Sequence, residues 1–433
     1  MYLKNKKVLV YGLGQSGRAV AKVLKDNFAY VSLYDDDIRF FDQVGFDRDP
    51  YGKDYDFVIV SPGVVCRANK LLEHFRKRNI LVLSELDFGY LLCRGKIVAI
   101  TGTNGKTTTC TLVRDILKQA GYETFLCGNI GLPLSAIASK TTKKSVIVCE
   151  VSSFQLELSQ FFHANVACIL NVKPDHIDRH GSFEGYKQTK AKIAANMKRK
   201  DVLVLNLDDE EAKCMILHKK FQYFTKYYVK RGVCITNGNV CIDRKPIFSE
   251  KAIKLRGDKN LENVLAAVSV CSHFKVKADD YVQAIEKFRP ASHRMEVVGT
   301  IDGVTFVDDS KATNVASTLA CLDAFKKENV ILLLGGSGKD IAYDEIFKQK
   351  PNIKVVICFG AERENIAKSA RAAKVKTFVC EKFDSAVLKA SRLAIDGDFV
   401  LLSPACASFD EFENYKQRGD RFKEIVLGLL DEK

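Results

Sequence analysis

A glycine- and lysine-rich turn directly after an apolar run constrains this chain more than any other feature. Residues 97–109 read Ile-Val-Ala-Ile-Thr-Gly-Thr-Asn-Gly-Lys-Thr-Thr-Thr. Gly102 and Gly105 allow backbone N–H groups to turn inward, Lys106 adds a positive charge, and Thr107 offers a hydroxyl to Mg²⁺ where a helix begins. The spacing is shorter than the usual Walker pattern. It predicts a strand, a phosphate loop of variant type and a helix, with ATP as the ligand.

The composition is that of a large globular protein. The chain has 433 residues, of which 47% are hydrophobic, and this length favours about three domains. It contains no apolar stretch of the ~20 residues that a membrane span needs, and its start shows no signal-peptide pattern, so we expect a cytoplasmic protein. The 14 cysteines include no C-x-x-C pair and often lie in Val/Ile-rich runs, which indicates reduced core thiols.

The net charge of +14 raises the alternative of a nucleic-acid-binding protein. Lysine and arginine are spread along the whole chain, however, without a long basic block or an aromatic-basic module. Small anionic ligands explain the charge adequately, and so does a lysine-rich proteome. We therefore expect no nucleic-acid partner.

Strand and helix patterns alternate along the chain and predict an α/β fold with three domains. Composition changes at 89–96 and at 288–293 mark two boundaries. The predicted domains are an N-terminal Rossmann-like domain (1–91), a central P-loop-type mononucleotide-binding domain with a parallel sheet (92–289), and a C-terminal Rossmann-like domain (290–433). Active sites are expected at the carboxyl edges of the sheets.

A second glycine-rich loop follows the first predicted strand. Residues 12–17 read Gly-Leu-Gly-Gln-Ser-Gly, and Asp35 ends the next strand at nearly the distance of a ribose-binding acid. The loop by itself suggests a dinucleotide enzyme, but the same turn can receive the diphosphate and uridine of a nucleotide-linked substrate. A tight turn without a ligand is the remaining interpretation.

Glu150 and His176 lie at the ends of two buried strands of the central domain. A carboxylate and an imidazole at this edge can complete a divalent-ion site beside the phosphate loop. A zinc site formed by His176, Asp178 and His180 is an alternative, although paired cysteines and an H-E-x-x-H pattern are missing. Magnesium is the preferred prediction.

Three polar clusters follow strands of the last domain, at 309–314, 335–340 and 403–410. Each combines hydroxyls, acids or lysines, and the second is a glycine-rich turn suited to a carboxylate or a phosphate. Any one of them can be ordinary loop chemistry. Their recurrence at corresponding edges indicates a binding region.

Taken together, these segments resemble the Mur ligase family over essentially the whole chain. The resemblance rests on 102–109, 128–131, 150–155, 171–178, 260–263, 293–296, 309–314 and 403–410. It implies an ATP-dependent amide ligase with UDP-N-acetylmuramoyl-L-alanine, D-glutamate and ATP as small-molecule partners, acting as a monomer. The γ-phosphate of ATP would convert the L-alanyl carboxylate to an acyl phosphate, which the amino group of D-glutamate then attacks. Two Mg²⁺ ions would neutralise the charge.

The resemblance also implies roles for individual residues, some of them shared between sites. Those implied in catalysis are Lys106, Glu150, His176 and Lys190, and those implied in metal binding are Thr107, Glu150, His176 and Lys190, the last as a carbamylated lysine. The implied ATP site comprises Gly102, Thr103, Asn104, Gly105, Lys106, Thr107, Thr108, Asn260, Asn263, Arg294 and Asp309. The implied UDP-substrate site comprises Gly12, Leu13, Gly14, Gln15, Ser16, Gly17, Asp35, Asn129 and His176. The implied D-glutamate site comprises Lys311, Thr313, Lys339, Ser408, Phe409 and Tyr415.

The first domain departs from the family pattern at Asp36, where a hydroxyl residue would contact uracil. Two further alternatives remain open at this point. A folate polyglutamate ligase shares the ATP domain but not an N-terminal domain that looks built for UDP. An NAD-linked oxidoreductase would use the loop at 12–17 and Asp35, but would leave the phosphate loop and the C-terminal clusters without a role.

Overall fold

The computed structural model describes residues 2–289, 292–338, 342–348 and 352–431. Contacts divide the chain into two compact units, one of 1–254 with 261–288 and the other of 255–260 with 289–433. The α/β fold class predicted from the sequence is confirmed. Among the described residues, no helix is both long enough and apolar enough to cross a membrane.

The first unit begins with a small, fully parallel sheet in the order β2-β1-β3-β4. Its strands carry Val, Leu and Ile side chains buried on both faces, as expected where helices cover a parallel sheet. The strands are β1 Lys7–Tyr11, β2 Tyr30–Tyr34, β3 Phe57–Val60 and β4 Leu81–Ser84, and the helices are α1 Gln15–Asp26, α2 Lys70–Lys77 and α3 Glu85–Leu92.

The same unit contains a nine-stranded sheet in the order β13-β12-β11-β10-β9-β8-β5-β7-β6. Its strands are β5 Lys96–Thr101, β6 Thr124–Gly128, β7 Val146–Glu150, β8 Val166–Ile169, β9 Val202–Asn206, β10 Phe221–Phe224, β11 Val233–Thr236, β12 Asn239–Ile242 and β13 Lys245–Ser249. The helices from this part of the sequence are α4 Lys106–Gln119, α5 Leu134–Ala138, α6 Ser153–Glu157, α7 Ile177–His180, α8 Phe183–Ala191, α9 Glu210–Cys214, α10 Asp258–Cys271 and α11 Ala278–Lys287.

Two features of this unit correct the sequence-based predictions. The central sheet is not parallel throughout, because β11, β12 and β13 pair in antiparallel fashion at its edge. The predicted boundary at 89–96 is partly a helix, because Gly89 lies within α3. A Cβ atom on Gly89 would lie 2.7 Å from the Leu134 side chain, so close packing of α3 on α5 accounts for this glycine.

The second unit is built on a six-stranded sheet in the order β14-β15-β19-β16-β17-β18. All pairs are parallel except β14 with β15. The strands are β14 Glu296–Ile301, β15 Val304–Asp308, β16 Asn329–Gly335, β17 Ile353–Phe359, β18 Thr377–Val379 and β19 Asp398–Ala405. The helices are α12 Val315–Ala324, α13 Asp344–Lys348, α14 Arg363–Ala372, α15 Phe383–Leu393 and α16 Tyr415–Asp431.

The cysteines behave as predicted from their apolar surroundings. All 14 are unpaired, and ten of them are buried. Burial raises the pKa of thiols such as Cys110 and Cys271 well above the usual range, because a thiolate would lose its hydration there. These cysteines are therefore inert core residues.

Candidate active site

The phosphate loop connects β5 to α4 at the carboxyl edge of the nine-stranded sheet. Gly105 has φ +85°, and a Cβ atom there would lie 2.2 Å from Asn263 Oδ1, so only glycine fits between the loop and this asparagine. Lys106 begins α4, and its ammonium donates hydrogen bonds of 2.8 Å to the carbonyl oxygens of Gly102 and Thr103. Thr108 lies buried in the first turn of α4. The loop thus curls around the lysine charge at a helix N-terminus, which suits phosphate.

A neighbouring segment holds this loop in shape. The Asn171 carbonyl accepts from the N–H of Thr103 at 3.0 Å, and the Asn171 side chain accepts from the N–H of Asn104 at 2.8 Å. The Thr103 hydroxyl in turn accepts from the N–H of Lys173 at 3.0 Å. Since β8 and β5 are adjacent strands, the chain that follows β8 is positioned to buttress the loop.

Glu150 links the phosphate loop to the loop that follows β6. The carboxylate is 2% exposed; it accepts from the Thr107 hydroxyl at 2.9 Å and from the Asn129 amide at 2.8 Å. The structure therefore brings together the predicted ATP and metal residue Thr107, the predicted metal residue Glu150 and the predicted substrate residue Asn129. A buried carboxylate beside a threonine hydroxyl is an oxygen donor set of the kind that Mg²⁺ prefers.

Lys190 lies in α8 and is almost completely buried, with 1% exposure. Its amine donates to the carbonyl oxygen of Gly102 at 3.0 Å and lies 4.6 Å from the centroid of the Tyr186 ring. Burial, and secondarily the charge of Lys106, hold the pKa of Lys190 well below its usual range. This lysine is therefore a buried amine at the phosphate loop rather than a solvated helix residue.

His176 stands at the start of the short helix α7 with φ +51° and a half-exposed side chain. Its ring packs 4.7 Å from that of Phe154. Within the part of the chain that the structure describes, its side chain makes no hydrogen bond to Glu150 or Lys190. The zinc alternative gains no support. In the described ranges His176, Asp178 and His180 form no metal-type cluster, and His180 instead pairs with the Ser153 hydroxyl at 3.0 Å.

In the second unit, the side chains of His293, Glu296 and Asp308 lie close enough together to form a possible metal site. These side chains already have partners. The His293 ring pairs with Asp308 at 2.7 Å, and the Glu296 carboxylate binds Lys423 at 2.7 Å. An ammonium group in contact with the carboxylate disfavours a cation, so this set is a hydrogen-bonded network.

The glycine-rich loop between β1 and α1 borders a cavity of about 740 Å³. Gly12, Gly14, Gln15, Ser16 and Asp35 line it, together with 36–37, 61–65 and Asn69. Leu13 points into the core, and Gly17 lies behind the loop, where a Cβ atom would be 1.8 Å from the Gly12 carbonyl oxygen. The cavity lies in the size range of small-molecule sites.

Asp35 and Gln15 fix the shape of this first-domain site. The Asp35 carboxylate accepts from the N–H groups of Leu13 at 2.6 Å and Asp37 at 2.9 Å. Asp36, the departure from the family pattern, accepts from the Tyr11 hydroxyl at 2.5 Å and the Tyr34 hydroxyl at 3.2 Å. The Gln15 amide donates to the Gly131 carbonyl at 3.1 Å, which joins the loop at 12–17 to the loop that contains Asn129.

The remaining predicted ATP residues lie together in the second unit. The Asn260 amide is 3.8 Å from the sulfur of Met295, and the Met295 N–H donates to Asp309 at 3.2 Å. Asp309 also accepts from the Ser403 hydroxyl at 2.8 Å. Burial raises the pKa of Asp309 to about 6, against the lowering effect of the Arg294 charge. Arg294 Nε is buried without a hydrogen-bond partner in the described residues.

The predicted D-glutamate residues are only partly brought together. The Lys311 ammonium lies 5.7 Å from the centroid of the Tyr415 ring, and Thr313 follows on the same turn with an exposed side chain. Ser408 is buried, and its carbonyl accepts from the N–H of Phe412 at 2.8 Å. Phe409 is 74% exposed. Lys339 falls outside the described residues.

Two arginines that sequence reasoning missed, Arg418 buried and Arg179 partly buried, hold these sites in place. Arg418 of α16 donates to carbonyls of Ser310, Gly335, Cys406 and Ala407 at 2.9–3.4 Å, and so ties the ends of β15, β16 and β19. Arg179 of α7 makes a comparable set of contacts in the first unit. The sequence signal was weak, because each arginine lies in a run of charged residues that reads as a solvated helix face.

Comparison with known proteins accounts for this arrangement. The family models "Mur ligase middle domain" and "Mur ligase, glutamate ligase domain" match residues 100–271 and 293–406. Proteins named UDP-N-acetylmuramoylalanine--D-glutamate ligase from Pelotomaculum thermopropionicum and Acidobacterium capsulatum are each 38% identical, covering 98% and 99% of this chain and 98% and 97% of their own.

Solved structures share the fold at lower identity. UDP-N-acetylmuramate-alanine ligase from Thermotoga maritima aligns with a TM-score of 0.65 at 18% identity, over 98% of this chain and 100% of that one. MurF ligase from the same organism, in complex with ADP, aligns with a TM-score of 0.62 at 17% identity, over 99% and 96%. The phosphate loop, the buried Glu150 and the full-length similarity to relatives agree, and the chain belongs to the Mur ligase family.

Proposed function

We propose that this protein is the ATP-dependent ligase that adds D-glutamate to UDP-N-acetylmuramoyl-L-alanine in peptidoglycan precursor synthesis. One observation carries the proposal: buried Glu150 contacts both Thr107 of the phosphate loop and Asn129 of the neighbouring loop. A carboxylate in this position can bind a cation between a nucleotide at the phosphate loop and a second substrate at the neighbouring loop. The names of relatives that match along nearly their whole length supply the substrates.

The proposed organisation assigns one substrate to each domain. Residues 1–91 bind the UDP substrate, 92–289 bind ATP, and 290–433 bind D-glutamate. The cavity bordered by the loop at 12–17 supports the first assignment, since backbone N–H groups at the start of α1 can receive the diphosphate. We also propose a cytoplasmic monomer.

The proposed reaction has two steps. An oxygen of the L-alanyl carboxylate attacks the γ-phosphorus of ATP, ADP leaves, and an acyl phosphate forms. The amino nitrogen of D-glutamate then attacks the acyl carbon, phosphate leaves, and the nitrogen loses a proton to give the amide. Neither step needs a covalent bond to the protein, so positioning and charge neutralisation dominate. Lys106 supplies a fixed positive charge at the loop.

Magnesium fits the donors that the chain presents. Thr107 and Glu150 would hold one ion, and His176 with a carbamylated Lys190 would hold a second. Bound Mg²⁺ neutralises negative charge on phosphoryl oxygens. The lowered pKa of Lys190 favours the carbamate, because only the neutral amine reacts with CO₂ and the product is an anionic oxygen donor.

D-glutamate carries two carboxylates, and the second unit offers groups suited to them. Lys311 with Tyr415 provides a cation beside an aromatic ring. Thr313 follows strand β15, and Ser408 and Phe409 follow strand β19. Lys339, in the glycine-rich sequence 335–340 and outside the described residues, would supply a second cation.

The test is release of phosphate from ATP in the presence of UDP-N-acetylmuramoyl-L-alanine and single amino acids. D-glutamate alone among common amino acids should stimulate turnover. Equal stimulation by lysine or meso-diaminopimelate would contradict the assigned substrate. Dependence on NAD(H) would instead favour an oxidoreductase that uses the loop at 12–17.

A further inference from the structure

Arg179 connects the first-domain cavity to the helix that begins at His176. It belongs to α7, and its side chain is only 9% exposed. One terminal nitrogen, Nη2, donates to the carbonyl oxygens of Pro62 at 2.9 Å and Val64 at 2.8 Å. Both of these residues line the cavity of about 740 Å³. The guanidinium is therefore hydrogen-bonded to the main chain of the cavity wall, so its position depends on the position of that wall.

The same guanidinium is also hydrogen-bonded to helix α6. Its Nη2 and Nε donate to one carboxylate oxygen of Glu157 at 2.7 and 2.9 Å, and Glu157 ends α6, the helix that follows β7 and Glu150. A carboxylate held by two N–H donors is a strong, directional partner. Movement of the cavity wall relative to α6 must therefore strain or break hydrogen bonds at this one group.

Phe154 carries the connection to His176. The Arg179 guanidinium lies 4.1 Å from the centroid of the Phe154 ring, and the His176 ring contacts the same phenylalanine at 4.7 Å between centroids, with the two rings tilted by 59°. A cation over an aromatic ring that is shielded from water contributes to orientation as well as to stability. The position of Arg179 thus bears on the rotamer of the proposed metal ligand.

A second contact joins the same wall to α7. A Cβ atom on Gly181, directly after α7, would lie 2.4 Å from Nη1 of Arg67, so the chain at 62–67 approaches both the middle and the end of this helix. On the other side of the wall, the Ser61 hydroxyl donates to the Gly12 carbonyl at 2.6 Å. Continuous contacts therefore run from the glycine-rich loop through the wall and Arg179 to His176.

We infer that Arg179 is a positioning residue that couples occupancy of the sugar-nucleotide cavity to the placement of His176. The inference rests on the proposed function, because it takes the UDP substrate as the occupant of the cavity. A ligand that orders the wall at 61–65 orders the carbonyls that Arg179 binds, and through Arg179 it orders the Phe154 ring that contacts His176. Binding of the first substrate would then prepare the reaction centre.

Three variants separate this role from a structural one. Arg179→Lys keeps the charge but cannot donate to both carbonyls and Glu157 in one plane. Phe154→Leu leaves the arginine hydrogen bonds in place and removes the ring between Arg179 and His176. Arg114→Lys is the matched control, because Arg114 pairs with its neighbour Asp115, at 2.7 Å on α4.

The measurements are calorimetric titration with UDP-N-acetylmuramoyl-L-alanine, separate titration with a non-hydrolysable ATP analogue, and kcat at saturating substrates. Arg179→Lys should weaken sugar-nucleotide binding about tenfold and lower kcat about tenfold, with affinity for the ATP analogue within twofold of wild type. Phe154→Leu should lower kcat by a similar factor while sugar-nucleotide affinity stays within twofold. Arg114→Lys should behave as wild type.

Several results would overturn the inference. An unchanged kcat in Phe154→Leu would break the link to His176, and unchanged sugar-nucleotide affinity in Arg179→Lys would break the link to the cavity. If Arg179→Lys lost as much affinity for the ATP analogue as for the sugar nucleotide and also had a lower thermal midpoint, Arg179 would have only a structural role. Failure of the wild-type protein to bind the sugar nucleotide would refute the proposed function itself, and this inference with it.

Discussion

The amine of Lys190 lies 3.0 Å from the carbonyl oxygen of Gly102, the first glycine of the phosphate loop. Lys106 donates to the same carbonyl at 2.8 Å, so two lysines converge on one oxygen. Two ammonium groups this close repel each other, and burial adds to the penalty for charging Lys190. Conversion of Lys190 to a carbamate would replace that repulsion with attraction.

We therefore predict that Lys190→Ala lowers turnover roughly a hundredfold and that formate restores part of it, since a small carboxylate can replace the missing anion. The assay is phosphate release with and without formate. Lys187→Ala is the control, because Lys187 lies on the same helix and pairs with Glu184 at 2.9 Å. Equal stimulation of both variants by formate would contradict the carbamate.

The wild-type enzyme should also respond to CO₂ in a pH-dependent way. The proton competes with CO₂ for the Lys190 amine, so removal of dissolved CO₂ and bicarbonate should inactivate the enzyme more completely at pH 6 than at pH 8. Lys190→Ala should show no such response. Activity after CO₂ depletion, measured by phosphate release at both pH values, checks this expectation, and equal residual activity at the two values would contradict it.

Removal of the loop cation should abolish catalysis without unfolding the protein. Lys106→Ala eliminates two hydrogen bonds within the loop and the positive charge offered to phosphate, and we expect turnover to fall about a thousandfold. Circular dichroism and the thermal midpoint should stay close to wild type. Lys118→Ala, at the exposed end of the same helix, is the control. Near-normal activity of Lys106→Ala would remove the loop from the mechanism.

Glu150→Gln should raise the magnesium requirement. Glutamine is nearly isosteric, but it is neutral, and its amide group would face one of the two donors, Thr107 or Asn129, that now bind the carboxylate. We expect the Mg²⁺ concentration for half-maximal activity to rise at least about tenfold. Glu210→Gln, at a side chain 79% exposed, should leave the Mg²⁺ titration unchanged. A parallel titration of both variants tests whether Glu150 contributes to the metal site.

Asp309 should make the stability of the second unit depend on pH. Burial raises the pKa of Asp309 from 3.8 to about 6, so the folded state retains a proton that the unfolded state has already lost. The stability that the protonated group contributes is therefore complete below about pH 4 and is lost as the pH rises to about 6. Asp309→Asn does not titrate, and relative to wild type it should gain up to ~3 kcal/mol between pH 4 and pH 7.

Urea unfolding midpoints of wild type and Asp309→Asn at several pH values measure this difference. Asp344→Asn, an exchange at an exposed site, serves as the control and should show no comparable trend. A difference between Asp309→Asn and wild type that is constant from pH 4 to pH 7 would show that the Asp309 pKa is not raised.

Much of the fold could be predicted because the strands that hold the site are short, apolar and bounded by glycine or polar residues. The sequence pattern predicts strands at 30–34 and 202–206 and an amphipathic helix at 15–26, and these agree with β2, β9 and α1 residue for residue. The strands β10 to β13 were missed, because they are short strands at the sheet edge that mix apolar residues with polar or aromatic ones.

The candidate site was predictable where adjacent residues carry the chemistry, and not where distant residues meet. The phosphate loop can be read from nine consecutive residues, and Glu150 from its place at a strand end. The position of Lys190 beside Gly102, 88 residues away in sequence, follows only from the packing of α8. Without the family resemblance, an isolated helical lysine gives no sign that it is buried.

Arg418 binds the ends of three strands through main-chain carbonyl oxygens and the hydroxyl of Ser310. Burial lowers its pKa to about 10, which still leaves it charged at neutral pH. Carbonyl groups are present whatever side chain a residue carries. Substitutions in these turns can therefore change the side chains that the turns present while Arg418 still holds the three strand ends together.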